Sequence, residues 1–349
     1  MSDDLMARPT GTPTLEDVAR VAGVSRASVS RVVNGKDGVA PHIVEAVQRA
    51  VAEIRYVPNT AARSLVTRRA GSLAIVVSGA EPSGAPSPDD VYGDPFFGRL
   101  TSAMVRAVAP RDVQPVLMIA ETDDERHRVE AFLARGGADG ALLVSTDPAD
   151  PLPRQLLDAG RRVVVFAQPA HGLGVSFVDV AHRAGARLAA DHLVGRGCRD
   201  VAVISGPLDV PAASERLAGF CDAMTAAGRP YVPVASGNFT LESGETAMRE
   251  LLERHPTIDG VFAANDLMAL GALHALAAAG RRVPDDVAVV GFDDASPARY
   301  SRPALTTVRQ PLEEMATAMV DLLLGQLDGT APATASRIFE PTLTVRASA

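Results

Sequence analysis

Tryptophan is absent from these 349 residues, aromatic side chains make up only 4%, and there are two cysteines. Cys198 and Cys221 have no metal-ligand spacing and form no disulfide framework; they read as buried or inert thiols of a reducing compartment. Long hydrophobic runs are missing too. None approaches the roughly 20 residues needed to span a bilayer, and the opening MSDDLMARPT is acidic rather than signal-like, so a cytoplasmic protein without a membrane partner is expected. Catalytic signatures are equally scarce. The chain has no GxSxG elbow, no HExxH, no Walker loop and no glycine-rich dinucleotide fingerprint after its first strand. Its seven histidines are scattered without metal-ligand spacing. The acidic pairs Asp123-Asp124 and Asp285-Asp286 fall at predicted helix starts or turns, where they suit the helix dipole. An enzyme, a cofactor and a bound metal are therefore not expected.

Lysine is almost missing: Lys36 is the single one, and arginine carries the remaining fixed positive charge. That charge is unevenly placed. From Arg8 to Arg69, ten Arg or Lys stand against five Asp or Glu, a balance of +5 in a chain of net charge −8, which leaves −13 for the remainder. A cationic end on an acidic body suits a nucleic-acid contact confined to that end, although a solvated basic face would look the same by charge alone.

Residues 14 to 34, TLEDVARVAGVSRASVSRVVN, carry the sharpest pattern. Thr14 with Asp17 three residues on has capping-box spacing, and Leu15, Val18 and Ala19 form one apolar face. Gly23 supplies a left-handed stop, and Ser25 is the next N-cap. Val29, Val32 and Val33 line the inner side of a second helix, with Arg26, Ala27, Ser28, Ser30 and Arg31 outward. Pro41 opens a third helix through Ile54, with Val44, Val47, Val51 and Ile54 at helical spacing. Three helices around a glycine turn suit a helix-turn-helix head, whose second helix meets base edges. The same helices also occur in domains that never touch DNA.

Pro58 stops that third helix and Asn59 can cap the next segment; TAARSLVTRR is either a short, marginal helix or a flexible linker. From Ser72 onward, short apolar strands alternate with helices. LAIVV (73–77), VQPVLMIA (113–120), GALLVS (140–145) and RRVVVFA (161–167) form one set; DVAVISG (200–206), GVFAAN (260–265) and VAVVGF (287–292) form another. Two such sets predict two doubly wound α/β subdomains with parallel sheets. A helix near 310–326 is expected to return to the first subdomain and the last strands near 336–346 to the second. The Pro/Gly/Asp-rich segment 80–93 reads as an exposed loop. Asn265 and Asp266 follow one strand, Asp293 and Asp294 another, and Arg216 begins a helix after a third. Such strand ends meet in the cleft between subdomains, where these groups could hold a polyhydroxylated ligand and Phe96, Phe97 or Phe239 could stack on it. Alternatively, Asn265 simply caps a helix and Arg216 pairs with Glu215 or Asp222.

The stretch TLEDVARVAGVSRASVSRVVNG, followed by RYVPNTAARSLVTRR, resembles the head and hinge of the LacI/GalR (lac repressor) family of bacterial transcription regulators. The resemblance continues in order through DPFF (94–97), SERLAGF (214–220), AANDLMALGAL (263–273), VVGFDD (289–294) and LTTVRQP (305–311). It implies a helix-turn-helix head over 12–57, a hinge helix over 58–70 and a periplasmic-binding-protein-like core over 71–349. The core would divide into an N-subdomain (about 71–178 plus 308–332) and a C-subdomain (about 179–305 plus 335–349). The implied function is a repressor that binds palindromic operator DNA as a homodimer and answers to a small effector, a sugar or sugar derivative. A solute-binding receptor is the alternative, since the core alone would look similar. By resemblance, Thr14, Ser25, Arg26, Ala27, Ser28, Ser30, Arg31, Asn34, Asn59, Ala62 and Leu65 meet DNA, with Leu65 wedged into the minor groove. Phe96, Phe97, Arg216, Phe239, Asn265, Asp293 and Gln310 meet the effector. The chain departs from the family pattern at Ala40, which cannot cap the third helix, at Ala167-Gln168, and at Ala181-His182. His182 is read as a surface histidine rather than a cleft residue. The terminal PTLTVRASA has no leucine heptads, so a dimer rather than a tetramer is expected.

Overall fold

The computed structural model describes residues 13–33, 38–56, 69–78, 94–145, 149–169 and 172–349. Asn34, Asn59, Ala62, Leu65, the connector reading for TAARSLVTRR and the loop expected over 80–93 lie outside the described residues. The chain divides into two compact units, Met1–Ala70 and Gly71–Ala349.

In the first unit, α1 (Leu15–Ala22), α2 (Arg26–Val33) and α3 (Pro41–Ile54) close on Val18, Val29 and Val47, all fully buried, with Ala50 and Tyr56. The capping box at α1 is complete: Thr14 Oγ1 accepts from the Asp17 amide at 3.3 Å, and Asp17 Oδ2 accepts from the Thr14 amide at 3.0 Å. Arg20, and then these Thr14 bonds, pull the Asp17 carboxyl down to about 2. Gly23 ends α1 at φ 68°, and Ser25 Oγ accepts from the Ser28 amide at 3.1 Å to start α2. Ala40 makes no side-chain cap at α3, which relies on Pro41 in its first turn. Thr14→Ala is expected to cost the head about 1 kcal/mol. Amide exchange of α1, followed in the intact chain, should then quicken several-fold.

The second unit holds two six-stranded sheets. The first runs β11-β5-β4-β3-β1-β2 and is parallel throughout. Its strands are β1 (Ser72–Ser78), β2 (Gln114–Ala120), β3 (Gly140–Ser145), β4 (Val163–Phe166), β5 (Ser176–Val180) and β11 (Ser336–Phe339). One face is covered by α4 (Pro95–Val108) and α12 (Leu312–Asp328), the other by α5 (Asp123–Ala134) and α6 (Leu152–Asp158). The second sheet runs β12-β10-β9-β8-β6-β7, parallel except where β12 joins β10. It comprises β6 (Val201–Ser205), β7 (Val234–Ser236), β8 (Gly260–Ala263), β9 (Ala288–Asp293), β10 (Thr306–Arg309) and β12 (Thr342–Thr344). Helices α7 (His182–Gly195) and α8 (Pro211–Ala226) cover one face; α9 (Leu241–Arg254) and α10 (Asp266–Ala278) cover the other. A short α11 (Ser296–Tyr300) follows β9. The interior strands of both sheets are buried on both faces, which is why they read as apolar runs rather than as alternation.

Three strands depart from the sequence expectation. β5 lies across the boundary expected near 178, and its SFVDV pattern is interrupted by Asp179, so no apolar run announces it. β10 stays in the second sheet, whereas the expected boundaries put 308 onward in the first subdomain. β11 joins the first sheet by pairing parallel to β5, so only β12 of the terminal strands belongs to the second. α12 does return to the first subdomain, its apolar stripe of Leu312, Met315, Met319 and Leu323 filling that core. The chain therefore crosses between subdomains three times, at 181, at 310–311 and at 340–341. Among the described residues, no helix is long and apolar enough to cross a membrane.

Candidate functional site

Two separate surfaces carry the residues singled out above. On the head, the capping Ser25 and, on α2, Arg26, Ala27 and Arg31 are exposed, with Ser28 and Ser30 half-buried beside them. Arg26 Nε sits 2.7 Å from Glu16 Oε1, both side chains well exposed, so a partner in solution can replace that ion pair at little cost. Exposed Thr14 spends its backbone amide and hydroxyl on Asp17.

In the core, the candidate effector residues lie at strand ends and crossovers. Arg216, on the second turn of α8, is 5% exposed and lays its guanidinium 3.7 Å from the centre of the Phe292 ring. It donates to the Ala264 carbonyl at 2.5 Å and to His182 Nδ1 at 3.3 Å, and it lies 3.6 Å from Asp293 Oδ1. It does not pair with Glu215 or Asp222; Arg183 takes both of those. Asp293 ends β9 at φ 113°, 6% exposed, and accepts from Gln310 Nε2 at 2.7 Å. Gln310 itself occupies the second crossover. The structure thus brings Arg216, Asp293 and Gln310 into one contact.

Asn265 and Phe239 form a second pair. Asn265 Oδ1 caps α10 by accepting from the Met268 amide at 2.9 Å, and its Nδ2 donates to the Phe239 carbonyl at 2.9 Å. Phe239 is held at φ 69°, with its ring over Gly206 so closely that a Cβ there would lie 2.4 Å from it. The helix-capping role of Asn265 is therefore present, and the same side chain braces the Phe239 backbone. Phe96 and Phe97 belong to the first subdomain, on the opening turn of α4. They pack edge to face at 5.3 Å, and Phe96 also meets Phe166 at 5.8 Å.

The surface reading of His182 is overturned. Its side chain is only 10% exposed, wedged between Asp179 and Arg216. Nε2 lies 3.2 Å from Asp179 Oδ1 while Nδ1 accepts from Arg216, an arrangement that suits one neutral tautomer; burial, first of all, lowers its pKa. The first crossover follows Asp179 directly, which turns the helix start inward. Three further residues escaped the sequence reading. Asp94 caps α4 through the Phe96 amide at 2.9 Å and lies within electrostatic reach of Arg216 and Asp293. Asp179 anchors the Gln168 amide at 3.0 Å, and Arg99 reaches toward Asp294. Only Asp94 left a signal, an Asp-Pro helix start.

Burial dominates the electrostatics. It pushes the Asp293 carboxyl up to about 7, against the pull of Arg216 and with the help of the Asp94 charge. Asp94 rises to about 6, again mainly from burial. Asp266, fully enclosed and bonded to Thr307 and the Ala295 amide, is raised well above the ordinary carboxylate range. A carboxyl whose pKa rises on folding holds its proton longer in the folded state. Its contribution is fully present below the ordinary value of 3.8 and is lost as pH rises through the folded value. The core should therefore lose stability from about pH 4 to pH 7, and Asp293→Asn should flatten the upper part of that fall. Urea midpoints of the core transition at pH 5 and pH 8, compared for the two proteins, check this.

Similarity to known proteins follows the same division. The profile described as bacterial regulatory proteins, lacI family, matches residues 14–59, and that of the periplasmic binding protein-like domain matches 190–349. The chain is 44% identical over 343 residues to the HTH-type transcriptional regulator CelR of Thermobifida fusca, covering 96% of this chain and 98% of that one. It is 33% identical to the ribose operon repressor of Halalkalibacterium halodurans, covering 90% of each. Among solved structures it is similar to a transcriptional regulator CelR–cellobiose complex (42% identity, TM-score 0.73, covering 97% of this chain and 100% of that chain). It is also similar to a lac repressor dimer bound to operator and the anti-inducer ONPF (27% identity, TM-score 0.78, covering 97% and 99%).

Proposed function

This chain belongs to the LacI family of bacterial regulatory proteins, and from that premise we propose that an uncharged sugar held between its two core subdomains sets its affinity for operator DNA. It is a DNA-binding transcriptional regulator and not an enzyme. Ser25, at the cap of α2, and Arg26, Ala27, Ser28, Ser30 and Arg31 on it read the operator, and Thr14, Asn34, Asn59, Ala62 and Leu65 join them by resemblance. The effector contacts Arg216 and Asp293, with Gln310, Asn265 and Phe239 on the same wall and Phe96 and Phe97 facing them.

One observation carries the ligand class. Four arginines around the cleft already have acidic neighbours: Arg216 has Asp293, Arg99 has Glu313, and Arg346 and Arg299 share Asp294. A phosphate or carboxylate entering beside Arg216 would meet the Asp94 and Asp293 carboxyls, with Arg216 already next to Asp293. Hydroxyl groups can instead donate to the carboxylates and accept from Arg216, while an aromatic ring covers the apolar face of a pyranose. Cellobiose, held by the similar CelR, is the first ligand to try.

Operator reading by one head offers too few contacts for a unique site, so the chain acts as a homodimer. Apolar exposure on both subdomains supports this. Leu117 and Ile119 on edge strand β2 are 58% and 43% exposed, and Tyr300 on α11 is 81% exposed beside a groove lined by Leu241, Leu270 and Leu273. A receptor role without DNA is set aside, because such a role has no use for the head.

Binding-site selection with the full chain is expected to enrich an inverted repeat, and sedimentation to give a dimer at low micromolar concentration. Cellobiose added to the complex should then change operator affinity at least tenfold. No enriched repeat would overturn the DNA reading; an unchanged affinity at saturating cellobiose would overturn the sugar.

A further inference from the structure

Arg99 lies on α4, one turn beyond Asp94 and Phe96. Its Nε and one terminal nitrogen grip the Glu313 carboxylate at 3.0 and 2.8 Å, a bidentate fork. The other terminal nitrogen points at the carbonyl oxygen of Asp294, 3.4 Å away. Arg99 and Glu313 belong to the first subdomain, on helices packed against its sheet; Asp294 belongs to the second, just past β9.

We propose that Arg99 is the positioning residue that holds the two walls of the cleft together, by binding the backbone beside Asp293 from the opposite subdomain. The geometry favours this in three ways. Pairing with Glu313 fixes the plane of the guanidinium, so the third nitrogen is aimed rather than free; a lysine ammonium could not do both. The target is rigid as well. Asp293 and Asp294 sit at φ 113° and 52°, and the Asp294 carboxylate is held by Arg346 and Arg299 while its amide donates to Thr307 Oγ1 at 3.3 Å. Finally, Glu313 follows Gln310 by three residues, just beyond the second crossover. Gln310 bonds the Asp293 side chain and Glu313 steers Arg99 onto the adjacent carbonyl, so one short segment addresses both sides of the same turn.

Arg216 and Asp293 are 5% and 6% exposed, and Asp94 of the first subdomain acts electrostatically on both, so on this proposal a ligand enters between them as the walls part. The Arg99–Asp294 bond opens with each such event and reforms afterwards. Arg99 thereby governs how long a ligand is retained without needing to touch it.

The test has two readouts on the full chain, of which only the second rests on the sugar reading. Without ligand, Arg99→Ala should speed amide exchange at Asp294 and Ala295 at least fivefold while β8 is unchanged. With cellobiose, the dissociation rate should rise about tenfold and the association rate stay within twofold. Arg99→Lys should move both readouts in the same direction, which covers a misfolded Arg99→Ala. Glu313→Gln should give a smaller effect alone and none in the Arg99→Ala background, because Glu313 acts through Arg99. Unchanged exchange at 294–295 in both Arg99 variants, or an independent additive effect of Glu313→Gln, would overturn the proposal. Faster exchange in a chain that binds no cellobiose would leave Arg99 in its role and overturn the sugar instead.

Discussion

Asp293→Ala is expected to raise the cellobiose concentration for half-maximal response at least 100-fold while operator affinity without ligand stays within about twofold. The carboxylate is 6% exposed and is met by Gln310 at 2.7 Å and Arg216 at 3.6 Å. A hydrogen bond to a charged group contributes about 1.5–3 kcal/mol, and two ligand hydroxyls on one carboxylate reach roughly the 100-fold scale or beyond. Truncation also leaves Arg216 without its close acidic neighbour inside the cleft, so the site loses its polarity pattern as well as an acceptor. The helix proposed to read DNA, α2, lies in the other compact unit, and for that reason the ligand-free operator complex should be spared. Ligand and operator must alter each other's binding by the same factor. Fluorescence titration of a labelled operator, with and without cellobiose, measures both quantities. A full response by Asp293→Ala at unchanged cellobiose concentration would remove this cleft from consideration.

Arg26→Ala should weaken operator binding by about 1–3 kcal/mol in each half-site, hence about 2–6 kcal/mol for a dimer, and relax the preference at one base position. Arg26 is the first residue of α2 and is well exposed; its fork suits the O6 and N7 edge of a guanine. Its present partner, Glu16, is an exposed carboxylate that yields to a base edge at small cost. Glu16→Ala should consequently leave operator affinity unchanged or improved. Site selection on the Arg26→Ala chain separates base reading from phosphate binding. An unchanged selected motif with a shallower salt dependence would make Arg26 a phosphate clamp instead.

The head was legible in the chain alone because its information is local. Capping at Thr14 and Ser25, the left-handed Gly23 and the apolar spacing within each helix all act within a few residues. The interior strands were legible for a related reason: burial on both faces demands a continuous apolar run. Pairing partners carry no such local mark. β5 and β11 have short, polar-interrupted sequences, and their place in the first sheet is set by the strands they lie beside. The candidate site divides in the same way. Arg216, Asn265 and Asp293 stand at strand ends and helix starts that sequence pattern alone can locate. His182 could not be placed, because an isolated histidine at a helix start looks alike on a surface and in a cleft. Its position between Asp179 and Arg216 arises only when the first crossover folds the two subdomains against each other. Asp94 and Arg99 gain their meaning by the same approach, across a gap of about 200 residues in Asp94 with Asp293 and of 195 in Arg99 with Asp294. Sequence by itself determined the helical head, the alternating α/β core and the residues at the strand ends. Tertiary structure alone decided which strands pair, which histidine is buried and which charges meet, because those depend on burial and distance between segments remote along the chain.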